Sequence, residues 1–258
     1  MSDEETRPGR AVDWDAASYD SLADPQEEWG REVLERLELR GDETVLDAGC
    51  GSGRVTRVLV ERLPQGKVVA VDGSPSMVDM VRQVLRPRDE AVVANLTELE
   101  LGEPVDAIFS NATFHWVLEH DRLFQRLYAA LRSGGRLEAQ CGGEGNVAEF
   151  ERTLDALSGD ERFAPYLRGT LRPWKFAGVG ETEVRLERAG FVSVRLWLER
   201  KRFQPRDPRG YLRASGLAPH LDRLPTDLHD EFVDAVTGSM PRPLVLDYVR
   251  LNISARRA

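Results

Sequence analysis

The run VLDAGCGSGRVT, Val45 to Thr56, decides how this chain is read. Its apolar beginning, with Thr44 to Ala48 as a short strand, passes through Gly49, Gly51 and Gly53 into a helical pattern from about Arg54 to Leu63. Glycine is required where backbone turns tightly and must approach a ligand with no Cβ in the way. Taken alone, the three glycines also suit an ordinary strand-to-helix connection. The second strand, Lys67 to Asp72, strengthens the ligand reading, because its terminal Asp72 can accept hydrogen bonds from both hydroxyls of a ribose.

Working outward, the chain alternates between the two periodicities. An amphipathic helix, Pro25 to Arg40, precedes the glycine run and carries Trp29, Val33, Leu34 and Leu37 on one face. Beyond Asp72 come helix Pro75 to Leu85, strand Ala91 to Ala94, strand Val105 to Ser110, helix Asp121 to Leu131 and strand Arg136 to Cys141. Alternation of this kind predicts an α/β fold, a doubly wound and mostly parallel sheet. Helix Glu181 to Ala189, strand Phe191 to Glu199 and a final alternating strand, Leu244 to Ser254, follow. Two stretches fall outside the alternation, Gly142 to Gly180 and Lys201 to Pro243, and read as helical lid insertions, the usual place for substrate covers in such folds. The expected organisation is a disordered tail at residues 1–12 and one domain at 13–258, with insertions at about 142–180 and 201–243.

Composition narrows the function. The 258 residues include 41% hydrophobic and 31% charged, with no apolar run of membrane-spanning length. Asp and Glu outnumber Lys and Arg by 44 to 35, a net charge of −9, which disfavours nucleic acid and anionic lipid as partners. The cysteines, Cys50 and Cys141, lie far apart and outside any metal-ligand spacing, so neither a disulfide framework nor a metal site is expected. The charged N-terminus, MSDEETRPGR, lacks the apolar segment of a secretory signal and points to the cytoplasm.

Two cofactor classes use a glycine loop followed by an acid, and the spacing separates them. Dinucleotide binders carry G-x-G-x-x-G, with a pyrophosphate at the helix N-terminus. Here the spacing is G-x-G-x-G, Arg54 stands at the third-glycine position, and Asp47 precedes the first glycine by two residues. An acid at that place suits a positively charged amino-acid ligand and not a pyrophosphate. LDAGCGSG followed by VDGSPSM resembles the class I S-adenosylmethionine-dependent methyltransferases. The resemblance implies a Rossmann-like, seven-stranded sheet and S-adenosyl-L-methionine as cofactor, held by Asp47, Gly49, Gly51, Gly53 and Asp72. Ser74 and Met77 would flank the adenine, Asn95 and Leu96 would take the place of the family's frequent adenine-contacting Asp, and Asn111 would complete the set.

On the acceptor side, SNATFHWV, Ser110 to Val117, puts His115 and Trp116 at the end of the fourth strand. Read on spacing alone, Trp116 could pack beneath the next helix and His115 could be a loop histidine. The segment is similar to the trans-aconitate methyltransferase group and to plant carboxyl methyltransferases, in which a tryptophan N–H helps hold the acceptor carboxylate. That makes Trp116 and His115 the candidate catalytic residues. WDAASYDSLADPQEEWG and RPWKF resemble the same group and nominate Tyr19, Gln26, Trp29, Trp174 and Phe176 around the acceptor.

Methyl transfer from a sulfonium is a displacement with a neutral leaving group, so alignment and exclusion of water are the main tasks. A carboxylate acceptor arrives ionised, whereas a phenol or an amine needs a base, for which His115 is the candidate. The expected partner is a small-molecule acceptor, a carboxylate first, with another oxygen, nitrogen or carbon centre as the alternative. A non-catalytic protein that only binds the nucleoside cofactor is the reading from a different class. Arg168, Arg172, Arg213 and Arg242 could meet an acidic acceptor, although such arginines on an acidic chain often form surface ion pairs.

Overall fold

A computed structural model describes residues 25–167 and 172–258; the expected tail at 1–12, Tyr19 and Arg168 lie outside the described residues. The order of elements begins α1 (Pro25–Arg36), β1 (Thr44–Ala48), α2 (Arg54–Arg62), β2 (Lys67–Asp72), α3 (Pro75–Val81), β3 (Glu90–Val93) and β4 (Val105–Asn111). A 3-10 turn at Phe114–Trp116 leads into α4 (His120–Ala130) and β5 (Leu131–Gly142). Then come α5 (Ala148–Leu157), α6 (Ala164–Leu167), α7 (Val179–Ala189), β6 (Phe191–Phe203), α8 (Pro208–Ala214), α9 (Ala218–Leu221), α10 (His229–Ser239) and β7 (Leu246–Arg257). None of the helices among the described residues is long and apolar enough to cross a membrane.

The strands form one seven-stranded sheet in the order β3-β2-β1-β4-β5-β7-β6. β1 to β5 run parallel, and β7 is antiparallel to both of its neighbours, β5 and β6. The expected α/β class and doubly wound sheet are therefore what the chain adopts. The order reverses at β1 and β4, which both end at the carboxyl edge where such sheets bind ligands.

Differences from the sequence reading have local causes. α1 stops at Arg36, four residues short of Arg40, because Glu38 takes a left-handed conformation (φ 48°) and the N–H groups of Arg40 and Gly41 turn onto the Glu43 carboxylate at 2.9 Å. Arg136 Nε then donates to the Leu37 carbonyl at 2.6 Å, so a cation meets the carbonyl end of the helix. β5 starts directly after α4, with a register shift in its pairing to β4. β6 runs on to Phe203, into what sequence patterning treats as insertion.

Hydrophobic residues gather on three sides. Leu46, Val71, Ile108, Leu137, Leu251 and Ile253 face α4 and α7 on one side of the sheet. Val45, Val68, Ala107 and Phe109 face α1 and α2 on the other. The third core belongs to neither face: Phe150, Leu154, Phe163, Trp174, Tyr211, Phe232 and Val236 pack together above Trp29 and Tyr248. The two insertions thus share one apolar interior and form a single helical cap. Each helix in it is too short to be stable alone, so its structure depends on burying that common interior.

Candidate active site

The glycine loop adopts a shape that only glycine accepts comfortably. Gly49, Gly51 and Gly53 have φ of 86°, 52° and 91°. A Cβ at Gly49 would lie 2.1 Å from Thr113 Oγ1, and one at Gly53 would lie 3.0 Å from Val81 and Val84, whereas one at Gly51 would enter open space. Gly49 and Gly53 are therefore needed for packing and Gly51 for what the loop faces. Thr113 Oγ1 also donates to the Gly49 carbonyl at 3.2 Å, which ties the loop to the turn that carries His115 and Trp116.

Two acids flank the loop. Asp72 accepts from Gly51 N–H at 3.0 Å on one oxygen and from Ser74 N–H at 2.9 Å on the other. Each oxygen keeps a second lone pair, so a pair of ribose hydroxyls can still be received. Burial pushes the Asp72 carboxyl up, against these N–H groups. Asp47 is fully buried, accepts from Thr56 Oγ1 at 2.7 Å, and has its other oxygen without a hydrogen-bond partner among the described residues. Burial, opposed by Thr56 and reinforced by the charge of Asp72, raises Asp47 to about 7. Asn111 sits on the same sheet face one strand away; its Nδ2 donates to the Gln26 carbonyl at 2.8 Å, and its Oδ1 is also buried without a partner among those residues. Two bare acceptors beside one loop make a receptor for a multi-donor cation such as an ammonium.

Cys50, inside the loop, has its thiol pushed up by burial and then by Asp47 and Asp72, which keeps it protonated and non-nucleophilic. Ser74 caps α3, its Oγ accepting from Met77 N–H at 3.4 Å, and Met77 is buried. Asn95 closes a turn at the end of β3. Its Oδ1 accepts from both the N–H and the Oγ1 of Thr97, each at 3.0 Å, which uses both lone pairs in a turn, while Leu96 packs into the core.

The acceptor candidates assemble around the 3-10 turn. His120 Nε2 donates to the Phe114 carbonyl at 3.0 Å and the His115 carbonyl accepts from Lys175 N–H at 2.7 Å, so the turn is held from both sides. The His115 ring lies 5.0 Å from Trp116 and 5.7 Å from Phe176, centroid to centroid. Trp174 stacks on Phe176 at 5.6 Å, meets Trp116 edge-on at 5.7 Å, and donates from Nε1 to Glu151 at 2.9 Å. Trp29 stands apart from this group, edge-on to Tyr248 at 5.1 Å. Burial, then the charge of Arg250 and of His120, holds His115 well below the usual imidazole range. Gly142 N–H donates to His115 Nδ1 at 3.3 Å, and an accepting Nδ1 assigns the ring proton to Nε2.

Residues 45–135 match the family described as a methyltransferase domain. The trans-aconitate 2-methyltransferase of Methylobacterium nodulans is 30% identical over 95% of this chain and 99% of that protein. That of an Azoarcus species is 33% identical over 86% of this chain and 87% of that protein. The chain belongs to the class I S-adenosylmethionine-dependent methyltransferases. Among solved structures, the methyltransferase resembles phosphoethanolamine N-methyltransferase 2 of Haemonchus contortus with bound S-adenosyl-L-methionine, at TM-score 0.61 and 19% identity over 94% of this chain and 56% of that one. It also resembles a cyclopropane synthase of Mycobacterium tuberculosis, at TM-score 0.61 and 18% identity over 94% of both chains. Its cofactor is S-adenosylmethionine. The open space at Gly51, the receptive Asp72 and the bare oxygens of Asp47 and Asn111 fit the nucleoside and the ammonium of that molecule.

Two features of the methyltransferase escape the sequence reading. Thr113 is an unremarkable residue until Gly49 is seen pressed against it. Arg250 is buried beside Trp29, although a lone charge in an alternating strand reads as an outward residue. Arg172 and Arg213 form exposed ion pairs with Asp155 and Asp230, the state an acidic chain leads one to expect.

Proposed function

We propose that this methyltransferase esterifies a carboxylate of a small organic acid. The hydrogen bond from Gly142 to His115 Nδ1 carries the reading. With its proton on Nε2 and with burial opposing any second proton, His115 can donate a hydrogen bond but is poorly placed to remove a proton. A donor serves an acceptor that arrives already ionised, which a carboxylate is at neutral pH. The reading of His115 as a base for a phenol or an amine loses its support. The named activity of the similar relatives, trans-aconitate 2-methyltransferase, is in keeping with a carboxylate acceptor.

When bound, S-adenosylmethionine would supply an electrophilic methyl group on a positively charged sulfonium that departs as a neutral thioether. Gly49, Gly51 and Gly53 would cradle its amino-acid end and ribose, and Asp72 would orient the ribose. Asp47 and Asn111 would receive the ammonium. The Trp116 indole N–H and His115 Nε2–H hold one oxygen of the acceptor carboxylate and leave the other to attack in line. Trp116, Trp174 and Phe176 exclude water and present aromatic faces, which favour a cationic centre.

The test is to incubate the purified protein with S-adenosylmethionine and small carboxylic acids and to analyse the methylated products. Methyl esters that release methanol in mild alkali are expected, with a rate at saturating S-adenosylmethionine nearly flat from about pH 6 to 9 because no proton is removed in the step. Alkali-stable products, or a rate rising tenfold per pH unit, would overturn the reading.

A further inference from the structure

Three neighbouring strands each turn an arginine to the α1 face of the sheet, toward the amino end of β5. Leu137, Ala139, Ile253 and Ala255 point into the core beneath α4 and α7, so strand alternation puts Arg136 and Glu138 of β5 and Ser254 and Arg256 of β7 on the other face. Arg136 stands directly opposite Arg256, and Arg195 of β6 directly opposite Ser254. With Arg36 from the last turn of α1, these residues surround a cavity of about 400 Å³. The glycine loop and the turn carrying His115 follow the carboxyl ends of β1 and β4, at the other end of the sheet.

The four arginines are not equally occupied. Arg36 Nε donates to Glu138 at 3.1 Å, with its guanidinium carbon 5.1 Å from the Trp197 ring, and Arg136 donates to Glu43 at 3.1 Å and to the Leu37 carbonyl at 2.6 Å. Glu138 also accepts from Ser254 Oγ at 2.5 Å, and Glu43 from the N–H groups of Arg40 and Gly41. Arg195 makes one hydrogen bond, to the Ser254 hydroxyl at 3.5 Å, and otherwise acts on Glu138 only through its charge. Arg256 has no hydrogen bond or ion pair among the described residues. Like charges directly opposite on paired strands repel. Four arginines against two carboxylates, Glu38 and Glu138, reverse the balance of a chain whose net charge is −9.

The backbone is shaped around the same cavity. Glu38 and Ser193 both line it with left-handed φ, 48° and 53°, and they are two of the four non-glycine residues in that conformation among the described residues. The register of β6 on β7 shifts between Val192 and Arg195, a bulge that re-aims the side chain following it. Such backbone costs free energy and is retained where the shape it makes is used.

Charge and spacing select the ligand. Opposed Cα atoms on paired strands lie about 5 Å apart, so Arg136 and Arg256 converge on one group and not on two separated ones. A guanidinium fork matches the oxygens of a carboxylate or a phosphate. A carboxylate brings one charge on two oxygens, whereas a phosphoryl group at neutral pH brings close to two charges on three oxygens, enough for arginines arriving from β5, β6 and β7. We infer that this cavity binds a dianionic phosphoryl group, free or esterified to a small organic molecule, with Arg195 and Arg256 as its main contacts and Arg136 completing the set. The site is separate from the methyl-transfer site and independent of the acceptor proposed above.

The experiment is calorimetric titration of the full chain at fixed ionic strength in chloride, with phenyl phosphate, inorganic phosphate and benzoate as probes. The proteins are wild type, the Arg195→Gln, Arg256→Gln double variant, and Arg223→Gln, which removes an exposed arginine of the cap. Saturable phosphate binding by the wild type is expected, at least about tenfold tighter than benzoate, weakened at least about tenfold in the double variant and held within about twofold in Arg223→Gln. Saturating S-adenosylhomocysteine should leave the phosphate affinity within about twofold, because the two ligands occupy opposite ends of the sheet. Tighter binding of phenyl phosphate supports an esterified ligand, and inorganic phosphate binding as well or better supports a free one. No saturable phosphate binding, undiminished binding in the folded double variant, an equal loss in Arg223→Gln, or displacement by S-adenosylhomocysteine overturns the site. Arg256→Gln alone, at an exposed position, serves if the double variant does not fold, with an expected loss of about fivefold.

Discussion

The two halves of the proposed site are made of different material. The half proposed for the cofactor is shaped by backbone: three left-handed glycines, N–H groups on Asp72, and a helix capped by Ser74. The half proposed for the acceptor is shaped by side chains, His115 and Trp116 on the turn after β4 and Trp174 and Phe176 from a cap that has its own apolar interior. A backbone-made site is specified by a few residues close together in sequence, and a side-chain-made site by residues far apart. One fold can therefore keep one cofactor while the acceptor changes with the cap.

The largest test of that division is Trp174→Ala. Removing the ring that joins Phe176, Trp116 and Phe150 should destabilise the cap by about 3–5 kcal/mol, seen as accelerated hydrogen exchange in α5, α8 and α10. S-adenosylhomocysteine affinity should stay within about threefold; a parallel loss would make the two sides one unit. Next in size, Asp72→Ala should weaken S-adenosylhomocysteine by about 100-fold, since two ribose hydrogen bonds to a charged acceptor are lost. Acceptor preference in that variant, compared at saturating cofactor, should be unchanged.

Asp47 gives a smaller, pH-dependent test. Its carboxyl is raised to about 7 in the folded chain, above the usual carboxylate range, so the charged form that attracts an ammonium is lost as pH falls through 7. S-adenosylhomocysteine affinity should weaken by up to about tenfold per pH unit below that point, equivalent to roughly 1.4 kcal/mol, and Asp47→Asn should flatten the profile. The same shift makes Asp47 oppose folding as pH rises from its unfolded value toward 7, so the cofactor-free protein gains stability from this group on acidification. The smallest expected effect on stability is that of Gly51→Ala, about 1–2 kcal/mol from the left-handed φ alone, because its Cβ meets no atom of the described residues. Calorimetry on that variant should nevertheless show impaired cofactor binding, whereas a Cβ at Gly49 strikes Thr113 and should cost stability first.

The difference in material also explains what could be read from the sequence. Gly49, Gly51, Gly53 and Asp72 announce themselves through local spacing, and the strands up to β4 through short, mainly apolar runs. The cluster of Trp116, Trp174 and Phe176 could be nominated only by resemblance, since no periodicity joins positions 116 and 174. The cap helices are short, four residues each at Ala164–Leu167 and Ala218–Leu221, and their stability comes from a core shared between two distant insertions. Local patterning has nothing to detect there. The turn that Asn95 makes with Thr97 is another local contact that spacing does not announce. Arg250 was invisible for a related reason: one charge in an alternating strand reads as an outward residue unless the strand is known to be covered by α1 on that face.

β7 comes after every other strand in the chain, yet it lies between β5 and β6. A polypeptide growing from its N-terminus has therefore made the whole glycine loop, β1 to β4 and both insertions before the strand carrying Tyr248 and Arg250 exists. During that interval β5 lacks the neighbour it pairs with along seven residue positions, Arg136 to Gly142, and β6 has no partner strand at all. Arrival of Tyr248 beneath the cap and closure of the sheet are thus the same late event in synthesis. A nascent chain stalled before Leu246 would carry the elements of the glycine loop, a cap without its floor and two unpaired strand edges, the features by which chaperones and aggregating partners find incomplete β-sheets.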